Sequence, residues 1–300
     1  MLQRTRARLA YFLVLPALSL VIILNLLPLA QGVIISMQNQ NMIRPNPEAF
    51  VGLRHYIRAF TGDSEFWNST SHSFYFTIGS VVGAYFLSLG LALLLNQSIY
   101  CRGLLRALFL VPWVVPEVVT ALLWKWVYSD QWGIANFVLM RVGIVDTPVP
   151  WLSDPNVAMP AVIVVQIWKL YPVMTVVLLA ALQGVPKELI EAAKIDGANA
   201  VQRFWYVTAN FLRPTSIIIV LLAAIWTFQN FDIVYLLTGG GPAGSTQTLP
   251  VMVYVKAFWA SQLGYASAIG VIILLILLCL GFASLYLERV LGRNRRVENV

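Results

Sequence analysis

Apolar residues run along this chain in long unpunctuated blocks rather than at the three-to-four-residue spacing of a half-exposed helix. A block of roughly 20 apolar residues is the length a helix needs to cross a bilayer. Six such blocks predict six membrane-spanning helices, at about Leu9–Leu29, Ser73–Leu95, Ala107–Tyr128, Val157–Leu182, Pro214–Leu237 and Gln262–Leu287. From Leu9 to Ile43 there is no charged residue, which is too long an apolar core for a cleaved signal peptide, so the first block reads as a retained helix. Pro16 and Pro28 inside it are tolerable where neighbouring groups satisfy the freed carbonyls. In the second block, Gly79-x-x-x-Gly83 is the spacing that lets another helix come close, most simply one of this chain's own.

Composition agrees with the pattern. Of 300 residues 59% are hydrophobic and 11% charged, and the mean hydropathy is +0.76; a soluble domain carries about 25% charged residues. The net charge of +7 therefore reports topology before it suggests nucleic acid. An even number of spans puts both ends on one side. With the start inside, the inner segments hold Arg4, Arg6, Arg8, Arg102, Arg106, Lys187, Lys194, Arg203, Arg213, Arg289, Arg293, Arg295 and Arg296. The outer segments hold only Arg44, Arg54, Arg58, Arg141 and Lys256, so both termini are expected in the cytoplasm. Trp124, Trp126, Trp132, Trp259 and Tyr265 are placed for an outer aromatic belt. Cys101 and Cys279 suggest neither a disulfide framework nor a zinc motif.

The longest inner segment, residues 185–213, reads as a helix, a glycine and a second helix. Pro186 and Glu188 mark the start of the first helix, Gly197 after Asp196 marks its end, and Asn199 can cap the second. Leu189, Ile190 and Ala193 give the first helix an apolar stripe. Such an elbow is too small for a core of its own and must lie on the membrane or insert into a partner.

At these residues the chain resembles the permease subunits of binding-protein-dependent, ATP-driven importers, whose signature is Glu-Ala-Ala, three residues, Gly, nine residues and Ile-x-Leu-Pro. Glu191-Ala192-Ala193 and Gly197 match, and Val207-Thr208-Ala209-Asn210 comes after the nine residues, with Asn210 where the family has proline. Leu237-Thr238-Gly239-Gly240-Gly241-Pro242, Phe50-Val51-Gly52-Leu53 and Trp168-Lys169 with Pro172 are similar to elements of the maltose-type sugar permeases.

The resemblance implies an all-α integral membrane protein with the type I importer permease fold. Residues 1–70 would form the first helix and outer loop, 71–288 the permease core with the elbow, and 289–300 a basic cytoplasmic tail. It also implies that Glu188, Glu191, Ala192, Ala193, Asp196 and Gly197 dock onto an ATPase. The implied partners are a second, related permease, an ATP-binding cassette ATPase dimer that holds ATP and Mg, an external solute-binding protein, membrane lipid and a sugar substrate. No cofactor is expected in this chain itself, and no nucleic acid.

Gly239 to Thr246 comes within one residue of a phosphate-binding loop, but Ser245 stands where the lysine is needed, so a nucleotide site is rejected. Gly239, Gly240, Gly241 and Pro242 read instead as an outer turn that contacts the binding protein or closes the outer gate, with a plain connecting turn as the competing reading. Charges inside spans are functional candidates because each is costly unless paired or wet. Counted along straight helices, Glu117 and Lys169 fall near mid-depth and are expected to pair or share a hydrated cavity, with Lys125 and Asp232 a second pair nearer the surface. Trp226, Gln229 and Asp232, with Asn230 beside them, would form one face of the fifth span and offer amides, a carboxylate and a ring to a sugar, with helix packing by the same polar residues as the competing reading. An ion- or proton-coupled carrier is the alternative reading, disfavoured because Glu117 is the single mid-depth carboxylate. His55 and His72 are remote from any acid cluster, which leaves an intramembrane enzyme without a constellation.

Overall fold

The computed structural model describes residues 14–43, 50–97, 100 and 102–297. Arg4, Arg6, Arg8, Arg44 and Cys101 lie outside the described residues, as do the first turns of the first predicted span and the side chains of Arg102 and the basic tail. Among the described residues the fold is helical, its one β-type pairing an isolated bridge between Gln38 and Phe50.

Helix α1 covers Val14–Ser36, α2 Arg54–Thr61, α3 Ser64–Leu95, α4 Arg102–Val114, α5 Glu117–Val127 and α6 Ile134–Val142. Helix α7 covers Pro155–Gln183, α8 Lys187–Ile195, α9 Ala200–Phe228, α10 Asp232–Thr238, α11 Leu249–Trp259 and α12 Leu263–Val297. Five of these are long and apolar enough to cross a membrane, and six crossings result when α4 and α5 count as one broken span.

The second span begins earlier than predicted, at Ser64, and three others need larger corrections. The first runs on to Ser36, with a wider π turn at Ile22–Leu26. There the Leu27 amide reaches back to the Ile22 carbonyl, and Pro28 beside it has no N–H to continue the ordinary register. The third is not straight: α4 and α5 meet at 97°, because Pro116 takes an extended ψ of 147°. The fifth starts at Ala200 rather than Pro214. The Asn199–Gln202 capping box begins the helix early, and Pro214 is absorbed inside it. The helix runs through Asn210, where the family has proline, and Asn210 Nδ2 donates to the Tyr206 carbonyl at 2.8 Å beside a π turn at Phe204–Thr208.

The chain divides into two compact units. In the first, Met1–Trp67 with Met252–Leu275, polar side chains make the ties. Asp63 Oδ1 accepts from the amides of Glu65 and Phe66 and caps α3, while Oδ2 accepts from the Tyr265 hydroxyl at 2.6 Å. Lys256 pairs with Glu65 at 2.6 Å, and the Arg58 guanidinium sits 4.2 Å over the Tyr265 ring. Tyr265 is therefore buried rather than part of an aromatic belt; Trp126, Trp132 and Trp259 are exposed. His55 Nε2 lies 3.0 Å from the Gln38 carbonyl.

In the second unit, Asn68–Val251 with Ile276–Val300, α7 is the central helix and α3, α4 and α9 pack on it around Ala84, Met174, Leu178 and Ala223. The glycine pair does what its spacing predicts. A Cβ on Gly83 would lie 2.4 Å from Ile167 Cδ1, and one on Gly79 3.0 Å from Ile163 Cδ1, so the two glycines admit two isoleucines one turn apart on α7. Polar side chains tie α3 to two neighbours: Ser88 Oγ donates to the Tyr171 carbonyl of α7 at 2.9 Å, and the Tyr85 hydroxyl donates to Ser216 Oγ of α9 at 2.9 Å.

Candidate functional site

The break between α4 and α5 gathers a cluster of polar side chains in the second unit. A helix ends with carbonyls that lack intrahelical donors, and here the shortage is sharpened. The Pro112 carbonyl would receive the N–H of residue 116, which is a proline. Lys169, projecting from the middle of α7, supplies what is missing: its Nζ donates to the carbonyls of Pro112 at 3.1 Å and Trp113 at 3.2 Å, and to that of Val115. A cation against the negative end of a helix is also favourable.

Glu117 is the first residue of α5, where a carboxylate suits the positive end of the helix. Its Oε1 accepts from Asn230 Nδ2 at 3.3 Å, and the Asp232 carboxyl lies beside it. Asn230 belongs to the second break of the fold, between α9 and α10. Its Oδ1 accepts from the Ile233 amide at 3.1 Å, a helix-starting contact, while its Nδ2 reaches Glu117. One asparagine thus ties two interrupted spans together. Gln166 adds an amide from α7, its Nε2 3.4 Å from Thr227 Oγ1.

These groups surround a cavity of about 380 Å³ whose lining includes Glu117, Gln166, Lys169, Asn230, Trp113 and Trp226. The sequence expectation is met in one form and corrected in the other. Glu117 and Lys169 share the cavity but form no ion pair, because the ammonium is turned to the carbonyls of α4. Lys125 and Asp232 do not pair either; Asp232 stands beside Glu117 instead. The continuous face expected from Trp226, Gln229 and Asp232 is interrupted. Helix α9 stops at Phe228, Gln229 is its exposed end, and Asp232 opens α10. Of that set, Trp226 and Asn230 line the cavity. Sequence reading missed Gln166 and the capping role of Lys169, for which Pro112 and Pro116 flanking the break were the available signal.

The elbow forms as its punctuation predicts. Helix α8 begins after Pro186 and ends at Asp196, and Gly197 takes φ +81°, the left-handed conformation that closes a helix. The Ala198 amide then returns to the Ala193 carbonyl at 3.0 Å, and Arg203 Nη1 donates to the Ala198 carbonyl at 2.7 Å. Glu188, Glu191, Ala192 and Asp196 are exposed and Ala193 is half-buried; no residue of α8 is fully buried. Its apolar surface is wider than the predicted stripe, since Leu189 is joined by exposed Ile195, Val201, Trp205 and Tyr206.

Beyond the far end of α9, the Gly239–Pro242 segment is a self-bonded turn. Gly239 and Gly240 have φ of +66° and +90°. Buried Thr246 meets Thr238 Oγ1 at 2.6 Å and donates to the Gly241 carbonyl at 2.8 Å.

Residues 84–293 match the family described as binding-protein-dependent transport system inner membrane component. The chain is similar to the trehalose/maltose transport system permease protein MalF of Thermococcus litoralis, 38% identical over 98% of this chain and 97% of that protein. It is also similar to the sulfoquinovosyl glycerol transport system permease protein SmoG of Agrobacterium fabrum, 34% identical over 90% of this chain and 87% of that one. In fold it matches a chain of a crystallised bacterial ABC transporter involved in import of the acidic polysaccharide alginate, with a TM-score of 0.80 at 21% identity, covering 95% of this chain and 96% of that one. With a family model spanning most of its length and a near full-length relative at this identity, the chain belongs to the binding-protein-dependent transport system inner membrane components, the multi-pass permeases of ABC importers.

Proposed function

We propose that this chain forms half of the membrane path of an ATP-driven importer for a sugar or related polyol, and that the cavity at the two helix breaks is its solute-facing surface. The observation that carries the reading is the lining: a carboxyl, two amides and two indole rings around about 380 Å³. Hydroxyl groups call for such donors and acceptors, and the apolar face of a sugar ring calls for aromatic surface. The volume lies within the range of small-molecule sites. Two relatives named for trehalose/maltose and sulfoquinovosyl glycerol transport support the substrate class. The exposed elbow, with Glu188, Glu191, Ala192, Ala193, Asp196 and Gly197, docks onto a partner ATPase that holds ATP and Mg. The Gly239–Pro242 turn faces an external binding protein, a second permease completes the path, and both termini are cytoplasmic. The chain itself carries out no catalytic step.

The test is uptake by proteoliposomes holding this permease with its partner permease and ATPase. Solute entry that requires internal ATP and the binding protein, and that loses apparent affinity in Asn230→Ala and Gln166→Ala, is the expected result. Uptake driven by an ion gradient through this chain alone would overturn the proposal.

A further inference from the structure

A second cavity, of about 270 Å³, opens at the end of the bundle from which the elbow springs. It lies among α3, α4 and α7, and its lining runs from Leu95 and Gln183, the last residues of α3 and α7, inward to Pro172. Pro172 is eleven positions from Gln183, so the cavity reaches about 16 Å along α7. Its inner wall is apolar, with Phe109, Leu179 and Val176. Its outer end carries Arg106, whose Nε and Nη2 are buried and meet no hydrogen-bond partner among the described residues. No carboxylate lines the space.

Two buried guanidinium nitrogens with no hydrogen-bond partner and no lining carboxylate among the described residues are costly, and at the end of a membrane-spanning helix such a charge points to a ligand. The form of the cavity specifies which one. The cation stands within about one turn of the helix ends, where headgroups lie, and the apolar part extends toward the bilayer centre. A guanidinium fork suits the paired oxygens of a phosphate, and basic pockets between transmembrane helices on the headgroup side are a recognised mode of lipid binding. We infer that this cavity holds an anionic phospholipid, its phosphate on Arg106 and an acyl chain against Phe109, Val176 and Leu179. Because Gln183 lies one residue from Gly184 at the root of the elbow, the lipid packs where α7 leaves the membrane.

The test uses the assembled transporter in native mass spectrometry, titrated with phosphatidylglycerol or phosphatidylcholine. The expected result is retention of phosphatidylglycerol about tenfold more tightly than phosphatidylcholine. That preference should vanish in Arg106→Gln, persist in Arg106→Lys, and persist in Arg213→Gln, an exposed basic residue of α9. Val176→Trp, which fills the apolar part and leaves the charge in place, should expel the lipid as well. Equal retention of the two lipids by the unaltered protein, an undiminished preference in Arg106→Gln, or displacement of phosphatidylglycerol by millimolar inorganic phosphate would each overturn the inference. The first is the result expected if a partner subunit's carboxylate already occupies Arg106.

Discussion

Replacing Lys169 by methionine removes the one cation that answers the open end of α4 while keeping much of the side chain's apolar length. Three carbonyls then lose a charge-assisted donor, those of Pro112, Trp113 and Val115. An unsatisfied buried carbonyl costs about 1–3 kcal/mol. Water can reach some of the three, since Trp113 and Val115 line the cavity, so the net loss should be about 2–3 kcal/mol rather than the full sum. For a chain of 300 residues that corresponds to a melting temperature lower by about 3–5 °C. Glu117 opens the helix on the other side of the break, and loosening the hinge also displaces its carboxyl from Asn230. Thermal unfolding of the purified complex measures the first effect and a solute titration of uptake the second. Lys169→Met should lower the maximal rate at every solute concentration, and Lys169→Arg, which still donates, should recover most of it. If Lys169→Met melted normally and high solute restored its full rate, the lysine would be a solute ligand and the capping argument would fail.

The seam between α3 and α7 predicts that Gly83→Leu, whose Cβ would start 2.4 Å from Ile167 Cδ1, destabilises by about 1–3 kcal/mol through overpacking. Ile167→Ala in the same chain should relieve most of that in the same melt, and failure of the rescue would mean that the contact is not the cause. Burial of Asp63 works to raise its pKa, but the hydrogen bond from Tyr265, the amides of Phe66 and Glu65, and the charge of Lys256 outweigh it and hold the group below its ordinary value of 3.8. A depressed folded pKa contributes stability that is complete above the unfolded value and is lost as pH falls through the folded one. Denaturation monitored from pH 7 to pH 3 should therefore show an acid-side loss that Asp63→Asn makes smaller, while Asp63→Ala also loses the helix cap and about 1 kcal/mol at neutral pH.

Spans and elbow were legible because their signals are local. Apolar length, a capping asparagine at 199 and a glycine at 197 act within a few residues of where they sit. The breaks were less legible. Proline inside a membrane helix is compatible both with a continuous span and with a bend, and Pro16, Pro112, Pro160, Pro172 and Pro214 all lie within helices here whereas Pro116 sits in the break, just before the first residue of α5. What separates Pro116 is Lys169, some fifty residues away, offering donors to the carbonyls that the bend exposes. The cavity was half-legible for the same reason. Glu117, Lys169, Trp226 and Asn230 stand out by composition, but their partners are set by two breaks meeting in space, and the expected Glu117–Lys169 and Lys125–Asp232 pairs assumed straight helices.

The glycine seam has a mechanical consequence. With Ile163 and Ile167 seated against Gly79 and Gly83, sliding α7 along α3 means lifting two branched side chains out of closely fitted notches. Helix α7 leads into the elbow through Gly184, Val185 and Pro186 alone. A push on the elbow is thus delivered to a double-width beam, and the stiffness of that beam, rather than of one helix, sets how far the push travels.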